Sequence, residues 1–298
     1  PPPPANSIIA NLNNFITLNS GDYSANINPF GAEICSVIHN PTETEFIWQA
    51  DEAIWPRHAP VLFPFVGRLK NFEYRYNGQT YTIEQHGFAR DLVFKIIYQS
   101  ENSVVLDLNE NAHTLQRYPF LFSFKVKYEL IANKLNMGFE VLNRGNCTMP
   151  VSFGGHPAFN INEPSDAILI FENDPNPPSY LLYDNFISTR TKMVTGGNGQ
   201  IVVDKKTFAR DALIFKNLKS HWVKLQSKST NKAVKVTIEG WPYLGIWAKP
   251  NANFICIEPW QGIADAFDFN GEVLEKEGIV MLAANKNFKK SFDMEFDY

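Results

Sequence analysis

The residues with the clearest chemical potential begin with His156, which follows Gly154-Gly155 and precedes Pro157. Glycine admits close approach of backbone or ligand. Proline removes a backbone donor, so regular strand pairing should stop there. We therefore expect the imidazole at the end of a strand, beside an open space. The alternative is a buried histidine bonded to a backbone carbonyl.

Glu258 is the second candidate and lies in the apolar segment 254–260 (FICIEPW). Strand alternation puts Glu258 on one face with Phe254 and Cys256, and the two isoleucines on the other. A carboxylate that closes such a strand is costly to bury unless it is paired or its pKa is raised. A raised pKa suits a general base, whereas a neighbouring arginine would make the same carboxylate structural.

Three more residues are candidates for holding a ligand. His86 is predicted at the end of a strand, just before Gly87. Arg68 follows an apolar run and a glycine, and its five donors could clamp a polyhydroxyl or anionic ligand. Trp260 could supply an aromatic wall. The structural alternatives are an exposed histidine, a solvated arginine and a core tryptophan.

Several other site types find no support in the motifs. The histidines show no HxH or HExxH spacing, which predicts no metal site, and no GxSxG nucleophile motif occurs. The three cysteines form no CxxC pair, so we expect buried free thiols. No glycine-rich phosphate loop precedes a helix. We therefore expect no cofactor.

Charge and hydropathy limit the partners. The net charge is −4 without a basic tract, so we expect no nucleic-acid or anionic-membrane partner. No apolar run approaches the roughly 20 residues of a membrane helix. The proline-rich start lacks the features of a signal peptide, and we interpret residues 1–7 as a flexible leader. A cytoplasmic location follows by default. The sequence indicates no oligomeric state.

The elements that must position these residues are predicted to be strands. Short aromatic and β-branched segments recur between turn residues, and Asn77-Gly78 is a strong hairpin signal between 72–76 and 79–85. No stretch has a convincing long helical period, and no shift in composition divides the chain. The pattern predicts an all-β fold, a large sandwich or closed sheet with few short helices, as one domain over residues 1–298.

Five segments in order give the chain a family resemblance. It resembles the aldose 1-epimerase (galactose mutarotase-like) family, and within it the LacX-type branch. Its better-known galactose mutarotases have asparagine where this chain has Gly155. The segments that carry the resemblance are Phe63-Pro-Phe-Val-Gly-Arg-Leu-Lys70, Gln85-His-Gly-Phe-Ala-Arg-Asp91, Gly155-His-Pro-Ala-Phe-Asn160, Asp211-Ala-Leu-Ile-Phe215 and Cys256-Ile-Glu-Pro-Trp-Gln-Gly-Ile-Ala-Asp265.

The resemblance implies a β-supersandwich with a sugar site in the cleft of one sheet. It implies Glu258 as general base and His156 as general acid in the interconversion of hexose anomers, without a cofactor. It also implies that His86 and Arg68 bind and polarise the sugar and that Asp211 bonds a ring hydroxyl.

Three alternatives stay open at this point. The cleft could bind a carbohydrate without turnover. It could hydrolyse glycosides, with Glu258 and Asp265 as the carboxyl pair. It could also act on a hexose phosphate, for which Arg57, Lys70 and Arg90 are candidate cations that are near Arg68 only in sequence.

Overall fold

Two large antiparallel sheets make up most of the computed structural model, which describes residues 15–298. The leader predicted for residues 1–7 lies outside the described residues. The strands are β1 (Ile16–Ser20), β2 (Tyr23–Asn28), β3 (Glu33–His39), β4 (Thr44–Glu45), β5 (Val61–Leu62), β6 (Glu73–Tyr76), β7 (Gln79–Thr82), β8 (Lys95–Gln99), β9 (Ser103–Asn109), β10 (Phe122–Ile131), β11 (Lys134–Asn143), β12 (Met149–Val151), β13 (Phe153–Gly155), β14 (Ala158–Asn160), β15 (Ala167–Phe171), β16 (Pro178–Tyr183), β17 (Phe186–Met193), β18 (Gln200–Val202), β19 (Leu213–Lys216), β20 (Trp222–Ser227), β21 (Ala233–Thr237), β22 (Tyr243–Trp247), β23 (Phe254–Gln261), β24 (Val280–Leu282) and β25 (Asn287–Asp297).

The order of strands shows how distant parts of the chain meet. The larger sheet has nine strands in the order β18-β15-β20-β21-β25-β11-β10-β9-β8. The second, which we call the cleft sheet, has eight strands: seven in the order β17-β16-β19-β22-β23-β13-β5, with β14 also paired to β23. A smaller sheet has four strands in the order β1-β2-β3-β4. Two further sheets have two strands each, β12 with β24 and β6 with β7. The predicted all-β sandwich is confirmed.

The main core lies between the two large sheets and is rich in phenylalanine. Phe153 of the cleft sheet lies 5.5 Å from Phe139 of the nine-stranded sheet, measured between ring centroids. Phe63 stacks on Phe124 at 4.2 Å. Ile255 and Ile257 of β23 join this core, whereas Phe254 and Cys256 pack in a separate cluster. The predicted alternation along β23 is therefore confirmed.

Helices are short, as predicted. Among residues 15–298 there is one α-helix, α1 (Ala112–Arg117), which begins with a capping box at Asn111. The remaining helical pieces are 3₁₀ turns at Asn40–Thr42, Lys70–Phe72, Ala89–Asp91, Pro164–Asp166 and Val273–Glu275. Across the described residues, no helix is long and apolar enough to cross a membrane.

Turn chemistry was predicted correctly, but two strand ends were not. The Asn77-Gly78 hairpin joins β6 and β7, with φ of 49° and 74° at the two turn residues. Strand β7 ends at Thr82, so His86 lies in the following turn and not at a strand end. Strand β23 continues to Gln261, so Glu258 lies inside the strand although a proline follows it.

The three cysteines are free, but not all are buried as expected. Cys35 and Cys256 are buried, whereas Cys147 is exposed. The expectation of three buried thiols is therefore wrong for Cys147, which precedes β12 in a surface turn.

Candidate active site

His156 and Glu258 face each other across two neighbouring strands. The register that pairs Gly154 with Trp260 and Ala158 with Cys256 puts His156 opposite Glu258, in the gap between β13 and β14. Atoms Nε2 of His156 and Oε2 of Glu258 lie 3.2 Å apart. The predicted position of His156 at the end of a strand is confirmed. We call the two residues the dyad.

The dyad is buried but incompletely hydrogen-bonded. The side chain of Glu258 is 1% exposed and that of His156 is 11% exposed. Oε2 of Glu258 and Nδ1 of His156 have no hydrogen-bond partner, and the contact between the two residues is close without having hydrogen-bond angles. Buried polar atoms are normally satisfied. The free atoms therefore point to a site that is completed by a ligand.

Burial shifts the pKa of each dyad residue toward its neutral form. It raises the pKa of Glu258 well above 4.5; the charge of Asp211 raises it further, while the indole of Trp260 opposes the shift. Burial lowers the pKa of His156 to about 3, and the charges of Arg90 and Arg57 also lower it. Both shifts therefore favour the neutral pair, in which the exchangeable proton is on Glu258. Pairs of this kind are common at catalytic centres.

His86 meets the dyad from the turn after β7, with a φ of 67° that is uncommon for a residue with a side chain. Its Nδ1 accepts the N–H of Gly67 at 3.1 Å, which leaves the proton of the neutral ring on Nε2. Its ring lies 5.7 Å from that of His156. Burial lowers its pKa well below 6.5, which favours the neutral ring, and its Nε2 lies 3.3 Å from the side-chain amide of Gln85, which also lines the cleft.

Arg68 and Asp211 are joined through a residue that the sequence did not reveal. With the amide of Asn185 oriented so that its oxygen faces Arg68, it accepts from the guanidinium at 3.1 Å and donates to Oδ2 of Asp211 at 3.1 Å. Arg68 lies over Phe72 and Phe186, at 4.7 and 5.2 Å from their ring centroids. Asp211 has a φ of 97°, in a backbone region that residues other than glycine rarely adopt.

Tryptophans form the apolar walls of the cleft. Trp260 is held between neighbouring strands, because a Cβ added at Gly154 or Gly245 would lie 2.7 or 2.5 Å from its indole. Trp55 stacks on His156 at 5.1 Å and Trp247 meets it edge-on at 5.9 Å. Flat apolar surfaces with a few polar groups are typical of ligand sites. Only Trp260 was predicted from the sequence.

All six predicted site residues line one cleft of about 450 Å³, a size usual for small-molecule sites. The predicted residues are Arg68, His86, His156, Asp211, Glu258 and Trp260. Sequence reasoning missed Trp55, Asn185, Trp247 and Lys249. Trp247 lies on β22, whose pairing with the strand of Glu258 no local sequence signal shows, and Asn185 gives no signal of its own.

Asp265 does not join Glu258 in the cleft. Its Oδ1 lies 2.8 Å from Nζ of Lys276, and its Oδ2 accepts the N–H of Lys70. Both carboxylate oxygens thus have partners elsewhere, and Asp265 borders a second cavity together with Lys70. The carboxyl pair that glycoside hydrolysis would need is not formed by these two residues.

One group within residues 15–298 has metal-ligand spacing, although the motifs predicted no metal site. Ligand atoms of His156, Cys256 and Glu258 lie within 4.8 Å of one another. Cys256 packs in an apolar cluster with Trp48 and Phe254. Burial raises the pKa of its thiol well above 9.0, and the charge of Glu258 raises it further. A metal needs the thiolate, so this environment disfavours it.

A family model and a curated relative each match most of this chain. The family model described as aldose 1-epimerase matches residues 14–280. The plasmid-encoded protein LacX of Lactococcus lactis subsp. lactis is 32% identical over 269 residues, covering 84% of this chain and 89% of LacX.

Solved structures extend the match to the fold. A galactose mutarotase related enzyme from Lactobacillus acidophilus is 36% identical with a TM-score of 0.91, covering 95% of this chain and 97% of that one. A galactose mutarotase-like protein from Lactobacillus casei ATCC 334 is 29% identical with a TM-score of 0.90, covering 95% and 100%. The predicted galactose mutarotase-like sandwich is thereby confirmed. This chain belongs to the aldose 1-epimerase family.

Proposed function

We propose that the cleft interconverts the α and β anomers of an aldohexose, with His156 and Glu258 as the acid–base pair. The observation that carries the proposal is the dyad itself: a carboxyl and an imidazole 3.2 Å apart, both buried, with free polar atoms and with pKa values moved toward the neutral forms. A site that only bound a sugar would have no need of such a pair.

Ring opening moves two protons and breaks one bond. Glu258 removes the proton of the C1 hydroxyl while His156 donates a proton to the ring oxygen. The bond between C1 and the ring oxygen breaks, and C1 becomes a carbonyl. Rotation about C1–C2 turns the other face of the carbonyl toward the C5 hydroxyl, whose oxygen was the ring oxygen. Ring closure then reverses both proton transfers. The proton count is unchanged over the cycle.

The shared proton of the dyad must lie on His156 at the start of this cycle. Because burial favours the neutral forms, the resting pair keeps that proton on Glu258. Oε2 and Nε2 lie 3.2 Å apart, so a small side-chain rotation that aligns them would let this proton transfer and give the carboxylate and the imidazolium together. The N–H of His86 and the guanidinium of Arg68 would stabilise the developing charge. Asp211 and Asn185 would hold ring hydroxyls.

The experiment follows anomer equilibration of freshly dissolved α-glucose and α-galactose by polarimetry. The wild type should accelerate it, and Glu258→Gln and His156→Asn should each lower kcat by about 10²- to 10⁴-fold, the usual worth of one positioned acid or base. Thermal unfolding of each variant shows that the fold persists.

The chain offers a matched control. His221 and Glu172 form another histidine–glutamate pair at 3.1 Å, with His221 56% exposed. Glu172→Gln and His221→Asn should leave the rate unchanged. Unaltered rates in the two dyad variants would refute the assignment. Sugar binding by the wild type without faster equilibration would make the protein a carbohydrate-binding protein instead.

A further inference from the structure

The turn between β16 and β17 brings a polar side chain into the cleft. Tyr183 pairs with Phe186, so the hairpin loop between them has two residues. These are Asp184 and Asn185, and their φ angles of 50° and 65° are the left-handed values of a type I′ turn. Asparagine and aspartate both tolerate this conformation. The turn alone would therefore accept either residue at the position of Asn185.

The two charged groups that Asn185 faces explain why an amide is there. The guanidinium of Arg68 can only donate, and the carboxylate of Asp211 can only accept when ionised. With its oxygen toward Arg68, the amide accepts from Nη1 at 3.1 Å and donates to Oδ2 of Asp211 at 3.1 Å. An ionised aspartate in the same place would satisfy Arg68 but would set two carboxylates against each other.

Arg68 depends on this contact for its direction in the cleft. Its guanidinium lies over the rings of Phe72 and Phe186, and its buried Nε has no hydrogen-bond partner. Asp184 lies 3.8 Å away with a side chain that is 68% exposed, and ion pairs of this kind contribute little. The bond to Asn185 is therefore the polar contact that fixes the guanidinium.

Asp211 is held by the same amide. Its Oδ1 accepts the N–H of the next residue, Ala212, at 2.7 Å, and its Oδ2 accepts from Asn185. A φ of 97° is costly for a residue other than glycine and persists only where the surroundings impose it. The charge of Asp211 raises the pKa of Glu258 in addition to burial. Movement of this carboxylate would therefore change how readily Glu258 accepts a proton.

We propose that Asn185 is a positioning residue, whose amide holds the guanidinium of Arg68 and the carboxylate of Asp211 as one hydrogen-bonded unit in the cleft wall. This inference rests on the proposed function and goes beyond it, because Asn185 here acts through its neighbours and not only through a ring hydroxyl. The unit fixes a cation and an anion beside the dyad before the sugar reacts. Groups fixed in advance need no rearrangement during the reaction.

The first test removes the amide and keeps the turn. Asn185→Gly retains the left-handed φ, which glycine adopts freely. It should lower kcat for the equilibration of α-glucose by about 10- to 100-fold, the worth of a hydrogen bond to a charged group. An unchanged rate, or a loss confined to KM, would overturn the positioning role, because the latter is expected of a residue that only binds the sugar.

The β6–β7 hairpin offers a matched control for the loss of a turn asparagine. Asn77 has a φ of 49° in a turn of the same kind and lies outside the cleft lining. Asn77→Gly should leave kcat unchanged. Thermal unfolding of both glycine variants shows that the fold persists.

The second test uses Asn185→Asp and pH. A protonated aspartic acid has one O–H to donate and one carbonyl oxygen to accept, so it can replace the amide. Once ionised it repels Asp211, and two carboxylates in contact titrate together with a raised apparent pKa. The kcat of the variant relative to the wild type should therefore be near one at low pH and should fall as pH rises through that pKa.

The surroundings of this new pair are the same in both proteins. Arg68 and Asp184 face the side chain at 185, and Glu258 faces Asp211. A change in the ratio with pH therefore reports the new pair, whereas a ratio that is constant with pH would overturn the proposal. The other titratable side chains that line the cleft are Arg57, His86, Arg90, His156 and Lys249.

A wild type that does not accelerate equilibration would remove the proposed function and leave the hydrogen-bonded unit to be tested by itself. NMR titration of the aspartate carboxyl carbons does so without turnover. One aspartate that titrates well above the usual value of about 3.9 in Asn185→Asp, and is absent from Asn185→Gly, would support the unit. Identical aspartate titrations in the two variants, apart from one additional ordinary carboxyl, would rule it out.

Discussion

Two buried acid–base pairs of this protein have opposite settings. Asp265 and Lys276 lie 2.8 Å apart with side chains 4% and 2% exposed, and His156 and Glu258 lie 3.2 Å apart with 11% and 1%. Neither contact has hydrogen-bond angles. Burial lowers the pKa of Lys276, but the charge of Asp265 opposes that shift. In the dyad, burial shifts both residues toward their neutral forms.

The difference lies in what surrounds each pair. The second oxygen of Asp265 accepts a backbone N–H, and its own backbone bonds to Arg68 and Ile187. That pair ties segments of the chain together. The dyad instead lines a cleft, and Nδ1 of His156 and Oε2 of Glu258 have no hydrogen-bond partner. Burial alone therefore does not separate a structural ion pair from a proton-exchanging one; the completeness of the remaining contacts does.

The largest expected effect on stability comes from breaking the structural pair. Lys276→Met leaves Asp265 buried without its counter-ion and should lower the free energy of unfolding by about 3–5 kcal/mol. Urea unfolding at pH 7 measures it. The double variant Asp265→Leu/Lys276→Met removes both charges and should recover most of the loss. Undiminished stability in Lys276→Met would show that this pair is not structural.

The dyad should instead affect how the free energy of unfolding depends on pH. The folded pKa of Glu258 is raised above the unfolded value of 4.5, so the native state keeps a proton that the unfolded chain has released. Its contribution to stability is complete below pH 4.5 and is lost as pH rises to the folded pKa. Relative to Glu258→Gln, the wild type should therefore lose about 1.4 kcal/mol per pH unit in that window.

Urea unfolding of both proteins at pH values from 4.5 upward gives this difference. Taking the difference cancels the other groups that titrate on unfolding, among them Glu33, whose pKa is also raised by burial. A difference that does not change with pH would show that Glu258 has an ordinary pKa in the folded protein.

The smallest expected effect concerns the pKa of the His156 imidazole. Trp55 covers His156, so Trp55→Ala should admit water and raise the pKa of His156 back toward 6.5. Activity falls at low pH when the dyad binds a second proton, and that acid limb should therefore move upward, by about one pH unit or less. The pH dependence of kcat measures it. Trp48→Phe, a core tryptophan outside the cleft lining, should leave the limb in place.

Local patterns allowed the sequence to predict part of the site. The glycines before His156 and the alternation along β23 are short-range signals, and both were confirmed. The end of β23 was misjudged, since a proline within a strand usually marks its end or an edge. His86 was misplaced because three residues separate it from the end of β7, and turn conformation depends on contacts such as that with Gly67.

The rest of the site depends on contacts that no local pattern encodes. Asn185 bridges Arg68 and Asp211 across a large separation in sequence, and the meeting of Arg57 with Arg90 depends on how two loops pack. Asp265 was an alternative partner for Glu258, but the chain leaves β23 after Gln261 and Asp265 pairs with Lys276 instead. Such pairings follow from the whole topology.

The position of the dyad within the strand ladder has a consequence for how the protein would lose its activity. His156 and Glu258 are spaced by the register of β13, β14 and β23, in the central part of the cleft sheet, and not by a mobile loop. Backbone pairing in such strands opens only with the whole domain. Heat or urea should therefore abolish turnover and circular dichroism at one common midpoint, with no inactive but folded stage before it.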